Sequence, residues 1–239
     1  MGCVVSLVLA LAATAAQPQA IQLVPYSELE ARLVARVDFE SYSRVPSPGN
    51  VLDGIAVFEG ARIAERFSGQ LVAQDGGFDI LHLAPAGPLA LQPGVAGQNL
   101  AVEFVFFMSN QLKGMAPPGF PEKDAGGEGA VAILFDRDQS ALGFRVAAEP
   151  DPKNAAVPKG RMTVAFYRRD GMLIDRLEIR LNWLLAGYGF ARVGGAEDIA
   201  GIAITNRDPQ GIMIDDVIFD RDYVTSLLSA KPEYLPPAR

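Results

Sequence analysis

The side chains in this chain with most chemistry to offer lie near its C-terminus, in Gly211-Ile212-Met213-Ile214-Asp215-Asp216-Val217-Ile218-Phe219. Two adjacent carboxylates there interrupt a run of β-branched residues, and the turn signal Asp208-Pro209-Gln210-Gly211 precedes it, so the run reads as a strand. Strand side chains alternate between faces. Asp215 is therefore expected on one side with Met213, Val217 and Phe219, and Asp216 on the other with Ile212, Ile214 and Ile218. At least one carboxylate is set among apolar neighbours, where an unpartnered charge costs several kcal/mol and needs a cation, hydrogen-bond donors or the sheet edge.

A second acidic pair, Asp38 and Glu40 of Val37-Asp38-Phe39-Glu40, falls on one face of an expected early strand. If the first and last strands of the domain pair, these side chains converge on Asp215. Three carboxylates together repel one another unless a cation intervenes, and an oxygen-only site without His or Cys suits Ca2+. The competing arrangement has Asp215 accepting backbone N–H groups or an Arg, with Asp38 and Glu40 in solvent.

Other chemistries have less support. The chain has one His and one Cys, His82 and Cys3, which argues against a His-rich zinc or iron site and against a disulfide framework. His82 alternates with Ile80 in a strand-like run and no G-x-S-x-G sequence is present, so no nucleophilic triad is indicated. Asp136-Arg137-Asp138-Gln139-Ser140 has alternating oxygens but not the later Gly and Glu of an EF-hand, and reads as a turn after a strand. Trp183, Tyr188, Tyr42 and Phe120 are the aromatics placed to stack on a sugar ring, although core packing is the favoured account of Trp183 and none is taken as a ligand residue. No pair of acids is singled out for glycoside hydrolysis. A net charge of −7, with no Lys/Arg run, argues against nucleic acid as a partner.

The elements that must position these residues are short strands punctuated by Gly, Pro, Asn and Asp: 55–58, 62–67, 70–73, 78–83, 99–108, 130–136, 142–148, 161–168, 172–181, 189–193, 199–206 and 212–219. Such spacing predicts an all-β protein, a sandwich or barrel, and the expectation adopted is an antiparallel sandwich with short flanking helices. Arg168-Arg169-Asp170-Gly171 reads as a hairpin with a tight primed turn. Ser27-Glu28-Leu29-Glu30 has capping-box spacing for a short helix that runs into a first strand at 34–40, and Asp222 to Lys231 reads as a second helix. Two loops stand out by composition, 115–128 and 149–154.

At the N-terminus an apolar run ends in Ala13-Thr14-Ala15, like a secretory signal, although no Lys or Arg precedes it. The competing reading, lipidation at Met1-Gly2-Cys3, is less favoured because an apolar segment follows. No later segment has the roughly 20 apolar residues needed to cross a bilayer as a helix. The expected organisation is a signal peptide at 1–16, an arm and short helix at 17–33, a sandwich at 34–220, and a C-terminal helix and tail at 221–239.

Three stretches together carry a family resemblance: Val37-Asp38-Phe39-Glu40, the pair 129–136 and 164–171, and 211–219. Their order resembles exported bacterial jelly-roll domains of PEP-CTERM-type extracellular proteins and, more distantly, calcium-containing carbohydrate-binding modules, over residues 35–220. The last eight residues, Pro232 to Arg239, carry neither the PEP-CTERM sorting motif nor an apolar anchor. The resemblance implies a jelly-roll fold and a structural Ca2+ held by Glu40 and Asp215, with Asp38 beside them. The function expected is an exported, non-catalytic module that binds carbohydrate or another extracellular polymer. A polysaccharide-acting enzyme and a purely structural envelope protein are the alternatives.

Overall fold

The computed structural model describes residues 19–105, 108–148, 160–182 and 184–221. The expected signal peptide, the 149–154 loop, Trp183 and the expected C-terminal helix lie outside the described residues. In chain order the elements are β1 (Ile21–Val24), α1 (Tyr26–Glu30), β2 (Leu33–Val37), β3 (Asn50–Leu52), β4 (Ala56–Phe58), β5 (Ala61–Ala64), β6 (Arg66–Phe67), β7 (Leu71–Asp75), β8 (Phe78–His82) and β9 (Leu91–Gln92). There follow β10 (Leu100–Phe104), β11 (Asn110–Gly114), β12 (Val131–Gln139), β13 (Ala141–Ala148), β14 (Arg161–Tyr167), β15 (Leu173–Arg180), β16 (Leu184–Arg192), β17 (Ile199–Asn206) and β18 (Ile212–Arg221).

The strands form an antiparallel all-β architecture with two main sheets. The larger runs β1-β16-β13-β18-β11-β10-β3, with β2 also paired to β18, and the smaller runs β15-β14-β17-β12-β5-β4. Between them lies the main core. Phe144 and Phe190 of one sheet meet Phe166 of the other, with Phe190 at 5.4 Å from Phe144 and 5.2 Å from Phe166 between ring centres. Strand alternation supplies this layer: Leu142, Phe144 and Val146 point inward from β13, and Met162, Val164 and Phe166 from β14.

Both outer faces are partly covered as well. Tyr26 and Leu29 of α1 pack with Leu33, Ala141 and Ile218 on the outside of the larger sheet. On the smaller sheet, the β7–β8 hairpin brings Leu81 down onto Ala132, Ala165 and Ala203, beside Phe67 and Tyr167. The 115–128 segment is more than a surface connection, since Met115 and Ala125 are fully buried with Ala101.

Several local expectations are corrected. Four strands, β1, β3, β9 and β11, were not legible in the pattern. β11 is Asn-Gln-Leu-Lys-Gly, with one apolar side chain, yet every residue in it is buried. The helix starts from Pro25 with no side-chain cap, so the Ser27 capping box does not form. At the β14–β15 hairpin Gly171 has φ 87° while Asp170 stays outside the left-handed region, so the turn is not the primed type, which needs positive φ at both central residues. Asp170 instead accepts the Met172 N–H at 2.9 Å. Residues 136–139 continue β12 rather than forming a turn, held by Asp138 to Arg169 at 2.6 Å.

Because Phe190 is fully buried between two aromatic neighbours on opposite sheets, Phe190→Ala is expected to lower unfolding free energy by about 3–5 kcal/mol in urea titration. A loss below about 1 kcal/mol would contradict a core closed through this residue.

Candidate functional site

The acidic doublet sits where β18 changes partners. Its first half pairs with β11 at Ile214, its second half pairs with β2 from Val217 to Arg221, and β13 flanks it on the other side. Opposite Phe144 the ladder slips, because Gly143 faces Ile218 while Arg145 faces Asp215. Two residues of β18, Asp216 and Val217, thus stand against one of β13, a β-bulge with Asp216 at φ 46°. An Asp tolerates that left-handed conformation better than a β-branched residue does.

The bulge shifts the alternation by one. Ile212 and Ile214 face the main core before it, and Val217 and Phe219 after it, whereas Ile218 joins the outer cluster under α1. The expected grouping of Asp215 with Val217 and Phe219 therefore fails. The extra residue moves both carboxylates out of the central core, to the outer side of the sheet.

Each then finds different partners. Asp216 takes two arginines, Arg36 Nη1 at 2.7 Å and Arg145 Nε at 3.2 Å. Glu30 shares both, at 2.7 Å and 3.4 Å, and the Arg145 guanidinium lies 5.1 Å over the Tyr26 ring. Asp215 has no arginine partner among the described residues. It accepts the Ser109 hydroxyl at 2.5 Å and its neighbour's backbone N–H, Asp216, at 2.8 Å. Only 4% exposed, its carboxyl is pushed up to about 6 by burial, against the pull of those two donors, with the negative charges of Asp216 and Glu40 adding to the rise.

Glu40 reaches the same place from the chain leaving β2. The strand ends at Val37, and Phe39 at φ 59° turns the backbone, so Asp38 and Glu40 do not share a strand face as expected. Asp38 is exposed and accepts the Glu40 N–H at 3.2 Å. Glu40 accepts the Asn110 N–H at 2.8 Å and lies 3.5 Å from Arg44. Asn110 in turn donates to the carbonyls of Tyr42, at 2.8 Å, and Phe39, at 3.3 Å. Its Oδ1 is buried with no hydrogen-bond partner among the described residues, and neither polar atom of Gln111, the next residue, has one.

The structure thus brings Glu40 and Asp215 to either side of Ser109 and Asn110, with Asp38 at the rim. Among the described residues no three His, Cys, Asp or Glu side chains gather as a metal-holding group. The donor set that does approach is all oxygen, the two carboxylates, with the Glu40 charge felt at Asp215; Asn110 Oδ1 lies on the opposite, core-facing side of β11, with Leu112. That set fits a hard cation better than a soft one. Ser109, Asn110 and Gln111 were missed in the sequence, where a polar pentapeptide gave no strand signal.

A second feature is a cleft of about 570 Å3 on the outer face of the smaller sheet, beneath the β7–β8 hairpin. Its floor is built in cross-strand rows, Glu178 beside Thr163 beside Thr205, and Arg176 beside Ala165 beside Ala203. Arg161 and Arg207 stand at one end, paired with Glu178 and Asp75, and Asp79 lies at the hairpin side. Asp79 is buried, accepts the Ala130 N–H at 2.8 Å and the Gln74 amide, and burial pushes its carboxyl up. The three described aromatics singled out in the sequence are engaged elsewhere. Tyr188 is buried with its hydroxyl accepting the Asn182 N–H, Tyr42 packs on Phe58, and Phe120 packs on the Met115 cluster. His82 is exposed at the end of β8.

No protein-family model matches the chain, and no curated protein matches it. Two solved structures align with 51% of it: the enzymatically active domain of bacteriophage CBA120 tailspike protein 4, at 13% identity and TM-score 0.31, and the arabinose-bound MgGH51 α-L-arabinofuranosidase, at 15% and 0.30. The aligned part covers 17% and 21% of those chains. Likeness this slight transfers neither fold nor activity.

The Asp215 carboxyl has a higher pKa in the folded protein than in the unfolded chain, so the native state binds the extra proton. In chelator, stability is expected to fall as pH rises from about 4 to about 6, by at most on the order of 3 kcal/mol from this group. Melting curves of Asp215→Asn across that range should lack this component. Parallel pH profiles for variant and parent would refute it.

Proposed function

We propose that the chain is an exported, non-catalytic β-sandwich module that binds carbohydrate or another extracellular polymer, with a structural calcium at the seam in β18. The observation that carries the binding reading is the cleft beneath the β7–β8 hairpin. Its volume is in the range that holds a small ligand, and its floor offers hydroxyls, methyls and charged ends in ordered rows, as a polyhydroxylated chain requires.

Glu40 and Asp215 would hold the calcium, with Asp38 at the rim. Bound there, Ca2+ would neutralise two carboxylates and tie the segment after β2 to the start of β11. Glu40 already grips the Asn110 N–H, and Asp215 the Ser109 hydroxyl, so the chain's own bonds bring the two oxygens to one locality.

Calcium should raise the melting temperature and a chelator lower it, and Asp215→Asn should abolish most of the difference while still folding. A melting temperature indifferent to both reagents would remove the calcium from this reading. Screening the protein on a glycan array tests the binding half. Self-association without glycan binding would favour a structural envelope role instead.

A catalytic reading has one observation in its favour, the presence of Asp79, with its raised pKa, and Glu178 in a single cleft. Release of reducing ends from a polysaccharide, abolished by Glu178→Gln, would establish it over simple binding.

A further inference from the structure

We infer that the cleft selects an acidic glycan, one bearing carboxylate or sulfate groups, and that Arg176 is the residue that reads the charge. The inference rests on the proposal that the cleft binds a polymer, and adds the ligand's chemical class.

The charges around the cleft are not equivalent. Arg161 is matched by Glu178 and Arg207 by Asp75, each in direct contact. Asp79 is turned inward and accepts the Ala130 N–H and the Gln74 amide. Arg176 lines the same cleft, is exposed, and makes no ion pair among the described residues. In a chain of net charge −7, an unmatched guanidinium on the wall of a concave site is the local exception. It presents a planar fork of donors suited to a carboxylate or sulfate, which neighbouring acids would otherwise occupy.

The register gives that fork a sugar-sized setting. Ala165 is the direct cross-strand neighbour of Arg176, and Ala203 follows it, so the floor beside the guanidinium is low and apolar. One row away, Thr163 and Thr205 carry hydroxyls and Glu178 a carboxylate acceptor. Because Leu81 nearly covers the alanines, a pyranose ring would lie at the open β15 end of the rows, with a ring carboxylate or sulfate toward Arg176 and hydroxyls toward the threonine row. The roof of Ile80 and Leu81 narrows the space above and limits the water that screens the ion pair. Part of the alanine stripe exists because Leu81 packs on it, but that packing does not require an arginine without a partner at its end.

The test is calorimetric titration of the full chain, at low salt and fixed calcium, with three sets of tetrasaccharides of several linkages: uronates, sulfated sugars, and the neutral sugars of the same backbones. Acidic members should bind at least about ten-fold more tightly than their neutral counterparts, and Arg176→Ala should erase that preference while leaving neutral binding and the melting temperature unchanged. Arg32→Ala, an exposed cation away from the cleft, should leave the preference intact, which separates a local contact from overall charge. The carboxylated and sulfated sets show which anion is preferred. Acidic and neutral sugars bound alike, or a preference that survives Arg176→Ala, would overturn the inference and leave polymer binding standing. No binding in any set would overturn both.

Discussion

A central strand that must carry two adjacent carboxylates cannot keep a regular pleat, and much of this molecule follows from how β18 meets that demand. In an unbroken strand one of the pair would face the aromatic core formed by Phe144, Phe166 and Phe190. The bulge opposite Phe144 removes that outcome by inserting one residue, so that Ile214 and Val217 both face inward and the two acids between them do not. The same strand changes neighbour at this point, from β11 to β2, which leaves a gap in the ladder on one side. Backbone groups at such a gap need other partners. Side chains supply them: Glu40 and Asp215 accept backbone N–H groups, and Asn110 donates to the carbonyls of Phe39 and Tyr42.

The two acids end in contrasting environments a residue apart. Asp216, half-buried, is held by Arg36 and Arg145, and with Glu30 they make a balanced set of two cations and two anions beside Tyr26. A set of this kind fixes α1 to the sheet more through geometry than through net energy, since partly exposed ion pairs contribute little. Asp215 is the more deeply buried of the two and, among the described residues, has only a hydroxyl and an N–H. Its unrelieved charge is what motivates the calcium proposal at this seam.

The opposite side of the molecule follows a different rule. The smaller sheet needs its outer apolar face covered near Phe67 and Tyr167, and the β7–β8 hairpin does this with Leu81 over small alanines. Coverage stops short of the edge strand β15. Between hairpin and edge, the uncovered rows form the cleft, where Arg176 and Glu178 project from an edge strand that has no further neighbour in its sheet. The cleft is thus a by-product of partial coverage, with a chemistry set by which residues occupy the alternate positions of β14, β15 and β17.

By itself the sequence determined the all-β class, most of the longer strands and the importance of the acidic doublet, because alternation and turn residues are local signals carried by neighbours in the chain. Local signals also explain its errors. β11 was invisible because Asn110, Gln111 and Lys113 are buried by long-range packing, which polar composition cannot announce. The grouping of Asp215 with Val217 and Phe219 failed because a bulge is set by a mismatch between two strands about seventy residues apart, β13 and β18, and a single residue of slip inverts every face beyond it. Only the tertiary structure decided that Glu40, Ser109, Asn110 and Asp215 meet, and that Arg176 stands unmatched beside a row of alanines. Both are products of cross-strand register, a relation between distant segments that no window along the chain contains.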